Sequence, residues 1–142
     1  MSLKIFVPVI LVLFSFTVKA QKNNSIITID FVKMIEGKEK QALYFYENNW
    51  KVYREIALQK GFIKSYKMLF TNADSTADFQ LMLITEYADS TQFKESENRF
   101  QVIIQETRPN GAALLDDNKP NDFRKNVFFK QASCLFSSDE NK

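Results

Sequence analysis

Six side chains in this sequence carry the surfaces and charges with which a small molecule could be held: Tyr46, Trp50, Tyr53, Arg54, Tyr66 and Tyr87. The rings offer stacking faces and the phenols offer hydrogen bonds, which suits an aromatic or otherwise apolar ligand. Arg54 lies one helical turn after Trp50, where a guanidinium could grip a carboxylate in a two-bond fork. A plainer account competes at each position, since rings of this kind also fill cores and an arginine on a helix also sits in solvent. Asp30 and Glu86 form a second candidate set, a carboxylate pair able to move protons if neighbouring strands bring them together. Cys134, the lone cysteine, has no partner for an intramolecular disulfide and reads as a small apolar side chain.

What is missing narrows the chemistry further. The chain contains no histidine, so a Ser-His-Asp or Cys-His nucleophile, a histidine-ligated haem and the usual His and Cys zinc sets are excluded. The protein is therefore expected to work without metal or prosthetic group, and no residue is assigned a catalytic role. The 19 basic and 17 acidic residues include Lys4 and Lys19. Without those two the charges balance, which is not the electrostatic footprint of a nucleic-acid binder.

The segment 1–20 explains why those two lysines are set apart. Lys4 precedes the apolar run Ile5 to Val18, and Val18-Lys19-Ala20 leads into polar Gln21-Lys22-Asn23-Asn24, the three-part pattern of a cleavable signal peptide. The apolar run is about 14 residues, short of the roughly 20 that span a bilayer as a helix. The expectation is a secreted or periplasmic domain over 21–136, a disordered tail at 137–142, and no membrane association once the signal is removed.

The remaining sequence sets out the elements that must position the candidates. Ser25 to Met34 alternates as a strand, with Ile27, Ile29 and Phe31 on one side and Ile26, Thr28, Asp30, Val32 and Met34 on the other. After Gly37, Leu43, Tyr46, Trp50, Tyr53 and Ala57 recur at spacings of three and four, predicting a long amphipathic helix that stops at Gly61. Phe62 to Phe70 and Phe79 to Tyr87 read as an antiparallel pair of strands joined by a polar link. Asp89 to Gln92 has the form of a capping box, opening a second helix that ends near Thr107. Arg108 to Lys125 reads as a long loop with one helical turn at Gly111 to Leu115, and Asn126 to Cys134 as the last strand.

The order β-α-β-β-α-β is the ferredoxin-like α+β arrangement, a four-stranded antiparallel sheet with two helices on one face. Two helices can cover only that face, yet the strands are apolar on both sides: Met82 and Ile84 back onto Leu81 and Leu83, and Val32 and Met34 onto Ile29 and Phe31. At about 25 cal/mol per Å2, a set of such side chains contributes several kcal/mol in favour of burial. A second copy of the sheet is the expected cover, making the protein a homodimer through its open sheet face. The alternative is that the 108–125 loop folds across it.

This layout, with Lys60-Gly-Phe-Ile-Lys-Ser-Tyr66 running from helix to strand and Tyr87-Ala-Asp-Ser-Thr-Gln-Phe93 from strand to helix, resembles the dimeric α/β barrel superfamily. Its branches include antibiotic-biosynthesis-type monooxygenases, stress-responsive barrels and NIPSNAP-like proteins. Haem-degrading members use a histidine ligand, so the resemblance does not extend to that activity. Cofactor-free monooxygenase members have Asn and Trp near the cavity. Asn48, Asn49 and Trp50 stand on the first helix here, but at a different spacing, so no role is carried over. The resemblance implies a homodimer binding a small apolar or aromatic molecule. The alternatives are a cofactor-independent monooxygenase or isomerase acting on such a molecule, and a protein-interaction module with no small-molecule site.

Overall fold

The structure, a computed structural model, describes residues 24–136. The expected signal peptide at 1–20 and the tail at 137–142 lie outside the described residues. No helix among the described residues is long and apolar enough to cross a membrane.

Four strands, β1 (Ile26–Met34), β2 (Ser65–Phe70), β3 (Leu81–Tyr87) and β4 (Arg124–Ser133), form one sheet in the order β2-β3-β1-β4, every neighbouring pair antiparallel. β1 and β2 therefore run in the same direction with β3 inserted between them, as the ferredoxin-like reading requires. The pleat of β1 divides as its alternation predicts. Thr28, Val32 and Met34 are buried towards the helices, while Ile27, Ile29 and Phe31 belong to the opposite face. A register shift after Phe31 leaves Val127 as the extra residue of β4.

The first helix is a continuous rod of α1 (Glu39–Phe45), a π-helical turn (Tyr46–Trp50) and α2 (Lys51–Gln59). It ends because Gly61 takes φ +68°, a conformation that costs other residues their Cβ clearance. The Phe62 amide then donates to the Ala57 carbonyl at 2.8 Å and the Gly61 amide to Leu58 at 3.0 Å, which closes the end of the helix.

The second helix is split into α3 (Ser90–Lys94) and α4 (Ser96–Thr107). Asp89 caps it by accepting from the Gln92 amide at 2.8 Å. The returning bond of the expected box is shifted by one residue, because Gln92 Oε1 accepts from the Ala88 amide at 2.7 Å. Gln92 Nε2 meanwhile donates to the Gly61 carbonyl at 2.7 Å, pinning the start of the second helix to the end of the first.

Two apolar clusters lie between helices and sheet. One joins Val32, Leu81, Leu83, Tyr46, Trp50 and Phe123; the other joins Tyr53, Ala57, Ile63, Tyr87 and Ile103. Phe62 and Ile63, expected in β2, instead precede it, and Ile63 serves the second cluster.

The long loop takes a different course from the alternative raised above. Its helical turn is α5 (Pro120–Phe123) and not Gly111 to Leu115, because Pro120 is preset for a first helical position and Asp122 accepts from the Lys119 amide at 2.7 Å. The loop runs back along the helix layer: Arg108 Nη2 donates to the Asn48 carbonyl at 2.7 Å, Gln41 Nε2 to Asp116 at 3.0 Å, and Lys38 Nζ to Asn118 at 3.4 Å. Phe123 then plugs the core. The other face of the sheet receives none of it. There Phe31 stacks on Phe128 at 4.2 Å and meets Phe79 edge-on at 4.8 Å, beside half-buried Ile27, Ile29, Met82 and Ile84.

Candidate functional site

The six side chains singled out in the sequence all belong to the helix side of the sheet, but they divide between the two clusters. Tyr46, Trp50 and Tyr66 pack in the first, where the Trp50 and Tyr66 rings meet edge-on at 5.8 Å. Tyr53 and Tyr87 belong to the second, Tyr87 edge-on to Phe93 at 5.3 Å, and Tyr66 touches both. Tyr46, Trp50, Tyr53 and Tyr87 are buried, whereas Tyr66 is half-buried with its hydroxyl donating to Glu55 at 3.4 Å.

Arg54 occupies the seam between the clusters. Its guanidinium carbon lies 4.8 Å from the Trp50 ring centre and 4.1 Å from that of Phe100 on α4, a cation held between two π faces. Nε donates to Thr85 Oγ1 at 3.3 Å, and no carboxylate forms an ion pair with it among the described residues. Burial in this apolar seam lowers the guanidinium to about 10, with Tyr87 and Asp30 pulling the other way. A half-buried cation set between rings without a salt bridge is costly and therefore informative.

Three further polar groups converge on the same interior. Asp30, half-buried on β1, makes no hydrogen bond or ion pair among the described residues; burial raises its carboxyl above the ordinary range, against the pull of Arg54 and Arg124. Arg124, at the start of β4, lies across the rings of Phe45 and Tyr46 at 4.9 and 5.7 Å. Its Nε is buried with no partner, and so is the Tyr46 hydroxyl. Burial raises the Tyr46 phenol, and Arg124 acts on it in the opposite sense without reaching hydrogen-bond geometry. Two cations, a carboxylate and a phenol thus lie within electrostatic reach of one another with their polar atoms incompletely satisfied, which calls for an explanation.

No protein-family model and no curated protein matches this sequence. Solved structures resemble the chain in outline. A dimeric protein of unknown function with a ferredoxin-like fold from Bacteroides fragilis is 11% identical, with 82% of this chain and 100% of that chain covered at a TM-score of 0.46. A candidate antibiotic biosynthesis monooxygenase from Nitrosomonas europaea is 13% identical over 82% of this chain and 95% of that one, at 0.46. A NIPSNAP-like domain protein from Burkholderia xenovorans is 9% identical over 82% and 88%, at 0.45. The ferredoxin-like assignment stands on the strand order of this chain.

The carboxylate pair does not form. β1 and β3 are neighbours, but Asp30 stands opposite Leu83 and Glu86 opposite Ile27, so the odd offset puts them on opposite faces of the sheet. Glu86 instead accepts from Lys64 Nζ at 2.8 Å and Ser65 Oγ at 2.9 Å. Its burial would raise the carboxyl, but these donors outweigh it and the net shift is downward. Cys134 is half-exposed just after β4, donating to the Phe136 carbonyl at 3.2 Å, and not buried.

Two hollows of about 470 and 500 Å3 lie at one end of the sheet, and none of the six side chains lines either. Sequence reasoning missed Arg124, which it placed in the loop before the last strand, and the structural part played by Asn49. The π-helical turn buries Asn49 in line with Trp50 and Tyr53, and π turns often accompany functional sites.

Proposed function

We propose that the protein acts as a homodimer, its two sheets packed face to face, and that each protomer binds a small, largely aromatic or apolar molecule bearing an acidic group between helices and sheet. The observation that carries the binding reading is Arg54, a half-buried cation between Trp50 and Phe100 that makes no salt bridge among the described residues. An acidic ligand group would supply that salt-bridge partner and the rings would pack its body. The homodimer is supported by the apolar open face around Phe31 and Phe128, from which the 108–123 segment is turned away.

The test uses anilinonaphthalene sulfonate, an aromatic anion, as probe. The purified protein is expected to sediment as a dimer at micromolar concentration and to bind one probe per protomer, with Arg54→Met abolishing binding while keeping the dimer. Equal binding by the variant, or no saturable binding, overturns the ligand reading; a monomer overturns the dimer.

A second reading, a protein-interaction module without a small-molecule site, is favoured by the packing of Trp50 against Tyr66 and Arg54, which fills the space beneath the first helix. It requires that the probe fail to bind although the dimer forms.

A further inference from the structure

The helix layer covers β1 and β3 but stops short of β4. On the face of the sheet beneath the helices, Thr28 and Val32 of β1 and Leu83 of β3 are buried. Their neighbours on β4 are not: Gln131 opposite Thr28, Phe129 opposite Asp30 and Asn126 opposite Val32 are all exposed. Residues paired across an antiparallel ladder point to the same face, so these three lie on the helix side, away from the open face that carries Phe128. Phe129 is 53% exposed there, an aromatic ring flanked along the strand by two side-chain amides.

Asp30 shows where this strip leads. It stands between buried Thr28 and Val32 on its own strand and opposite buried Leu83 on β3, yet it is only half-buried. Its one exposed neighbour across the sheet is Phe129, so its remaining exposure lies on the β4 side. Arg54 is within electrostatic reach of Asp30 and is half-buried as well. The strip on β4 therefore adjoins the interior in which the guanidinium is held.

We propose that the ligand of the Arg54 interior enters over β4 and stacks its ring on Phe129, which makes it an aromatic acid and not an aliphatic one. The inference rests on the ligand reading given above and adds the direction of entry and a residue that selects the class of ligand. An exposed ring spends none of its packing energy on the core, so its stacking face is free for the ligand. Arg54 holds the acidic end, and Asn126 and Gln131 form a polar rim beside the ring.

The experiment measures saturable binding of anilinonaphthalene sulfonate, and its displacement by the aliphatic anion octyl sulfate, in the parent, Phe129→Leu and Arg54→Met. Leucine keeps an exposed apolar side chain and removes only the ring, so folding and sedimentation are expected to be unchanged. Loss of the ring contact is expected to weaken the probe about fivefold. Octyl sulfate is expected to bind more weakly than the probe, and with the same affinity in the parent and in Phe129→Leu. Unchanged probe affinity in Phe129→Leu, with Arg54→Met still abolishing binding, overturns the role of Phe129 and leaves the ligand reading standing. Probe binding that survives in Arg54→Met, or no saturable binding to the parent, overturns both. Octyl sulfate binding as tightly as the probe overturns the aromatic class. Altered sedimentation of Phe129→Leu places Phe129 in the contact between subunits and overturns its role in the site.

Discussion

Asn49 and Ala113 face each other in a two-bond bridge, Asn49 Nδ2 donating to the Ala113 carbonyl and the Ala113 amide donating to Asn49 Oδ1, each at 2.8 Å. A side-chain amide here imitates a strand partner and ties the long loop to the first helix. The same Nδ2 reaches the Phe45 carbonyl at 2.8 Å, and the Tyr53 hydroxyl donates to Oδ1 at 3.4 Å. One buried polar residue thereby satisfies two stretches of backbone that would otherwise lack partners.

Replacing that amide should loosen the loop before it unfolds the domain. Asn49→Ala is expected to lower stability by about 2 to 3 kcal/mol, the cost of leaving buried donors and acceptors unmade. Hydrogen exchange should rise at residues 111–115 and stay unchanged in β1 and β3. Uniform acceleration across the sheet would show that the bridge stabilises the whole core and not one segment.

Arg54 gives the opposite expectation for stability. Its folded-state value is lowered to about 10, so near neutral pH folded and unfolded chains both carry the charge and burial penalises the folded one throughout. Above about pH 10 the folded chain releases a proton that the unfolded chain retains, and this group's contribution to stability then rises with pH. Arg54→Met removes the buried charge with little change of volume, and is expected to stay within about 1 kcal/mol of the parent in urea unfolding at pH 7. Arg54→Ala also removes the packing of the side-chain stem, and should lose clearly more. A loss beyond about 2 kcal/mol in the methionine variant would mean that the cation has an acidic partner in the folded protein.

Strand order and helix placement were legible in the sequence because they rest on periodicity: the period of two in β1 and β3, and the stripe of Tyr46, Trp50, Tyr53 and Ala57. The site was legible only in part. Periodicity locates Arg54 beside Trp50, but it cannot say that Phe100 closes over the guanidinium, since that depends on where α4 crosses α2. The Asp30 and Glu86 pairing failed on one unit of register, which strand prediction does not resolve and which decides the face completely. Arg124 was hidden because Pro120 and Asn121 read as loop, although the same proline starts the turn that carries Phe123 into the core and Arg124 onto the ring of Tyr46.

The turn at Gly61 supplies a control whose mechanism involves no contact. A Cβ placed there meets nothing within 4 Å, so any loss in Gly61→Ala comes from backbone strain at φ +68°. The expected cost is about 1 kcal/mol, seen as a lower urea midpoint with the slope unchanged. A neutral result would mean that the end of the helix can adopt another conformation.

The carboxyl of Asp30 makes the sharpest statement about pH. Burial raises it above its ordinary 3.8 in the folded protein, and the pull of Arg54 and Arg124 does not reverse the shift. Below 3.8 both folded and unfolded chains bind the proton, so the group contributes no difference. As pH rises from there through the folded-state value, the unfolded chain ionises first, and stability falls. Asp30→Asn should therefore be more stable than the parent at pH 7, with the advantage vanishing on acidification below 3.8. Thermal unfolding of both proteins across that range measures it. If the variant is instead less stable at neutral pH and the gap closes in acid, the carboxylate is serving as the counter-charge of the two arginines, and the interior is a completed ion network with no place reserved for an acidic ligand.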